Sequence, residues 1–83
     1  MSIESQLFSL TRKYCASKIG FDELTSWVQD REEHWASLPA GDPAKTLADT
    51  IMLAAYEVWA GERDEASARK LIADSATAPA SST

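Results

Sequence analysis

Asp30 and His34 lie one helical turn apart, so a carboxylate and the chain's single imidazole can face one another. Such a pair is half of a metal site or an acid–base couple. A metal site needs three or four ligands, and no ExxH or HExxH spacing supplies the rest. A solvated or capped histidine accounts for the same residues with fewer demands. Cys15, the single cysteine, would be a nucleophile only with a base beside it. It sits on the flank of an apolar face, which favours a buried structural thiol. The serines lack nucleophile-elbow glycines, and no glycine loop is spaced to cradle phosphate. These residues predict a protein that is not an enzyme and holds no metal and no cofactor.

A second group points to binding. On a helical wheel Glu23, Trp27, Asp30 and His34 fall in one sector beside the apolar face, and Asp22, Glu32 and Glu33 spread negative charge around the same helix. An aromatic flanked by carboxylates has the composition of a docking site for a basic protein, with Trp27 as anchor and the acids steering approach. Glu23, Trp27, Asp30, Glu33 and His34 are therefore the candidate partner-binding residues. In the opposing reading Trp27 covers core at the bundle boundary and the acids are a solvated face.

The elements that must position these residues are helices. The strongest spans Pro43 to Gly61, with Asp42 as N-cap, Pro43 in the first turn and Gly61 at the end. At about 100° per residue, Ala44, Leu47, Ala48, Ile51, Met52, Ala54, Ala55, Val58 and Trp59 fill one apolar arc roughly 160° wide. That width predicts a central helix with neighbours on two sides. Its polar strip holds Lys45, Asp49, Tyr56 and Glu57, with Lys45 and Asp49 spaced to pair. Leu53 projects from that strip, which makes it a possible dimer contact.

A first helix is expected from about Ser2 to Ser17, with Ile3, Leu7, Leu10 and Tyr14 on one face. A second is expected from Gly20 to about Ala36, with Glu23 reaching back to the cap N–H and Ile19 meeting Leu24. Arg31 falls in its buried sector and is expected to meet Glu57 across the seam. A fourth helix starts near Asp64 and runs to about Ser75, burying Ala68, Leu71 and Ile72. The fold class is all-α, a compact three- to four-helix antiparallel bundle with a central apolar helix. Residues 1–75 form one helical domain and 76–83 a flexible C-terminal tail.

Composition bounds the partners. Eighty-three residues carry one modest core, and the net charge is −5. Phosphates repel such a surface, so neither nucleic acid nor an anionic membrane is expected as partner. A basic protein partner fits the charge. No apolar run reaches the ~18 residues of a membrane span, the N-terminal stretch lacks the build of a signal peptide, and the lone cysteine suits a reducing compartment. A cytoplasmic setting is the expectation, for a monomer or a homodimer.

Two stretches carry a resemblance. Ala16-Ser17-Lys18-Ile19 leads into a cap with Glu23 following, and Ile51-Met52-Leu53-Ala54-Ala55 lies in the apolar helix. Both resemble small acidic helical immunity proteins of the colicin D type, which are of similar length. The resemblance implies a four-helix protein whose acidic surface blocks the positively charged cleft of a tRNA-cleaving toxin. It places none of that family's binding residues on positions here, and this chain has a shorter Ala/Ser/Thr tail with fewer charges after Leu71. The leading functional reading is thus a non-catalytic protein-binding module, an immunity-type inhibitor of a basic toxin or nuclease. The alternatives are a small phage- or plasmid-encoded helical adaptor for a host protein, or a structural homodimer.

Overall fold

The computed structural model describes residues 2–77, and all regular structure among them is helical. Helix α1 spans Ile3–Cys15. It starts where Ser2 adopts extended backbone and its hydroxyl accepts from the Ser5 N–H at 3.0 Å. It ends at a left-handed Ser17, φ 62°. There the Ser17 N–H bonds to the Tyr14 carbonyl at 2.9 Å and the Lys18 N–H to the Lys13 carbonyl at 2.8 Å. This is the Schellman closure, made with serine where glycine is the usual choice.

The expected second helix is two helices, α2 at Phe21–Gln29 and α3 at Glu32–Ser37. The chain leaves helical geometry at Arg31, φ −114° and ψ 26°. Two side chains bond the carbonyls at the break. The Trp35 indole N–H donates to the Val28 carbonyl at 2.9 Å, and Arg31 Nη1 donates to the Trp27 carbonyl at 3.0 Å. An unbroken helix would have carried Arg31 into the buried sector. The break leaves it half-buried instead and lets Trp35 fold beneath the corner, 4% exposed. Gly20 caps α2 in extended backbone, φ −84° and ψ 164°, and has no side chain to offer the first free N–H groups.

Helix α4 spans Pro43–Trp59. Asp42 Oδ1 accepts from the Ala44 N–H at 2.9 Å and the Lys45 N–H at 3.4 Å. Gly61, φ 79°, closes the far end with the same pair of bonds seen after α1. Ala44, Leu47, Ala48, Ile51, Ala54 and Ala55 are buried, and α4 packs against each of the other four helices. Trp59, expected on the apolar arc, is 51% exposed. Glu57 does not meet Arg31; it accepts from Arg63 Nε at 2.6 Å.

Helix α5 spans Glu65–Thr77. Asp64 Oδ1 accepts from the Ser67 N–H at 2.8 Å, and Ala68 and Ile72 are buried. The helix continues past Ser75, and Ala76 packs against the core, so the expected tail loses its first two residues to α5. Residues 78–83 of that tail lie outside the described residues. The core joins Leu7 and Tyr14 of α1, Phe21, Leu24 and Val28 of α2, and Trp35 of α3 to these α4 and α5 residues. No helix among the described residues is long and apolar enough to cross a membrane.

Candidate functional site

The break at Arg31 redistributes the sector that the wheel had gathered. Glu23 and Trp27 stand on α2, Asp30 caps its end, and Glu33 and His34 stand on α3. Glu23, Asp30 and Glu33 are exposed, while Trp27 and His34 are half-buried. Trp27 packs on the core with its ring centroid 6.0 Å from that of Trp35. The Arg31 guanidinium lies over the Trp27 ring at 4.1 Å, so an internal cation already occupies one face of the ring. Trp27 borders a shallow depression shared with Leu10 and Lys13 of α1. Asp30 and Glu33 border a different one, with Gln29, Glu32 and Ala36. The structure therefore does not bring Trp27 and these two acids around one depression.

His34 does not face Asp30. Its Nε2 sits 3.4 Å from Glu4 Oε1 of α1, without the alignment of a hydrogen bond, and its ring meets Trp35 edge-on at 5.1 Å. The contact ties α3 to α1. Among the described residues no cluster of His, Cys, Asp and Glu is arranged to hold a metal ion.

The other reactive types are built into the scaffold. Burial pushes the Cys15 thiol above its ordinary pKa, with the Arg69 charge opposing. A thiol shifted upward is a weak nucleophile at neutral pH. Burial also raises the Tyr14 phenol, against the pull of Arg69. The Arg69 guanidinium lies over the Tyr14 ring at 4.9 Å and is the polar neighbour of the Tyr14 hydroxyl, which makes no hydrogen bond of good alignment. Arg69 Nη1 donates to Ser17 Oγ at 2.7 Å, which fastens α5 to the left-handed turn after α1.

The wheel missed a cleft where α2 and α3 meet α4. Val28, Ala48, Met52 and Tyr56 give it apolar and aromatic walls, and Glu32 and Asp49 give it carboxylates. At about 300 Å³ and open to solvent it matches the smallest ligand pockets, and it is shaped to take a side chain or two. It shares Gln29, Glu32 and Ala36 with the acidic depression of Asp30 and Glu33, so the two hollows are adjacent, with these residues between them. Beyond Tyr56 the surface stays apolar. Leu53 and Tyr56 are each 55% exposed, and the Trp59 ring meets that of Tyr56 in a T at 5.7 Å. Lys45 does not neutralise Asp49, because its Nζ donates to the Trp35 carbonyl at 3.0 Å. Among the described residues Asp30, Glu32, Glu33 and Asp49 make no ion pair. The sequence carried one trace of this surface, the large apolar side chain of Leu53 on the polar strip of α4, beside Tyr56.

No family model, no curated protein and no solved structure matches the chain.

Proposed function

We propose that this helical bundle, built about α4, is a non-catalytic module that docks a basic protein. One observation carries the reading: four carboxylates without ion pairs border two adjacent hollows, one of them walled by Tyr56 of an exposed aromatic surface. Unpaired acids cost little in water and favour encounter with a cationic partner. Exposed tyrosine and tryptophan supply the apolar contact that holds it. The concrete form favoured by the resemblance to colicin D-type immunity proteins is an inhibitor that covers the basic cleft of a toxin or nuclease. Within it Asp30 and Glu33 steer, while Trp27, already stacked under Arg31, serves the fold.

The test uses defined probes. An amphipathic peptide of leucine and arginine is compared with a counterpart in which glutamate replaces arginine and another in which serine replaces leucine. A docking module binds the first more tightly than either counterpart, with affinity falling as salt rises. Equal binding of all three peptides, or binding of none, overturns the reading.

A further inference from the structure

We infer that the cleft between α2–α3 and α4, continued by the exposed face of α4, receives the partner, and that its occupant is a basic segment with one apolar side. This rests on the docking reading above and adds the place and the chemistry.

The apolar part is contiguous. Leu53, Tyr56 and Trp59 follow one another at spacings of three on α4, and Met52 precedes Tyr56 by four, so all are neighbours on the helix surface. Three of them are more than half exposed, at 55%, 55% and 51%, on the helix that supplies much of the core. Exposed large side chains scattered singly are ordinary, whereas a run of them beside a cleft marks an interaction surface.

Charge selects the occupant. Asp30, Glu32, Glu33 and Asp49 border the two adjacent hollows, and among the residues lining them the one cation is the ammonium of Lys45, which is tethered to a backbone carbonyl. A second copy of this chain would bring those carboxylates against their own likenesses, because an isologous interface pairs each patch with itself. Like charges held together disfavour that complex, and cations relieve the same field. The aromatic rings agree. The chain's own arginines cover Trp27 and Tyr14, but among the described residues no cation covers Tyr56 or Trp59. A partner's arginine or lysine can stack there, with its neighbours reaching Glu32 and Asp49.

The experiment maps amide shifts of the whole protein, isotopically labelled, on titration with the leucine–arginine peptide. The expected shifts centre on Glu32, Ala48, Met52 and Tyr56. Tyr56→Ser and the double change Glu32→Lys/Asp49→Lys should each weaken binding about tenfold or more at low salt, with circular-dichroism melts unchanged. Selective peptide binding with shifts centred on Glu23 and Trp27, or binding indifferent to both variants, overturns this site and leaves the docking reading standing. Absence of selective binding removes the docking reading itself. A wild-type dimer by sedimentation, broken by Tyr56→Ser, assigns the surface to a second copy and overturns the proposal.

Discussion

Tyr14 is fully buried, and its hydroxyl makes no well-aligned hydrogen bond, with only the Arg69 guanidinium as a polar neighbour. A buried polar atom left unpaired costs about 1–3 kcal/mol, and deleting it removes that cost. Tyr14→Phe keeps the ring under Arg69 and should leave the thermal midpoint unchanged or raise it. A clear fall would mean that a hydrogen bond to the hydroxyl holds the core. Tyr14 and Cys15 also make an alkaline prediction. Both hold their protons more tightly in the folded chain, because burial disfavours the charged forms. The unfolded chain then binds fewer protons, so this contribution to stability is fully present below the ordinary thiol and phenol values, about 8.5 and 10, and is lost as pH rises through the raised ones. Denaturation across that window should show a slope that the double variant Tyr14→Phe/Cys15→Ala flattens. An equal slope in wild type and variant contradicts the assignment. Residue identity also decides which tryptophan is free. Trp27, a candidate anchor by its wheel position, is half-buried and carries Arg31 over one ring face, and Trp59, expected on the apolar arc, stands exposed. Neither fact is written in periodicity, because both depend on where another helix ends.

Helix ends carry the next level. The caps at Ser2, Asp42 and Gly61 were legible because each is a local chemical device. The division of α2 from α3 was not, since no glycine or proline marks it. Tertiary demand makes that break: Trp35 has to reach the Val28 carbonyl, and Arg31 has to leave the core sector. The two Schellman closures offer a paired test. Gly61 has the residue that a positive φ favours, and a β-branched side chain there is strained. Gly61→Val should destabilise by about 1–2 kcal/mol. Ser17 holds the same conformation with a Cβ, and its hydroxyl accepts from Arg69 at the exposed surface. Ser17→Gly relieves the strain at the loss of that one bond, and should be near neutral or stabilising. Chemical denaturation of both variants checks the pair, and equal losses at the two positions contradict it.

At the scale of the molecule the all-helical class and most core residues were legible, since the periodicity of Leu7, Leu24, Val28, Leu47, Ile51 and Ile72 reports which face each helix buries. Ile51 is completely buried among them. Ile51→Ala should cost about 2–5 kcal/mol, a large part of what a domain of this size has to lose. An unchanged midpoint would put Ile51 outside the core. The candidate surface was only partly legible. Asp30 and Glu33 were legible as exposed acids, but their nearness to Glu32, Asp49 and the exposed rings of α4 requires three helices to meet at one corner. Composition states how acidic the chain is without stating which acids remain unpaired.

The most direct test is the association and dissociation kinetics of the leucine–arginine peptide with wild type, Trp59→Ser, Asp30→Lys and Trp27→Ala at two ionic strengths. An anchor on α4 beside steering acids predicts that Trp59→Ser raises the off-rate about tenfold or more. It predicts that Asp30→Lys lowers the on-rate, by less as salt shortens the Debye length below ~8–10 Å. Wild-type rates for both variants at low salt, together with a raised off-rate for a stably folded Trp27→Ala, would contradict it and return the docking face to α2.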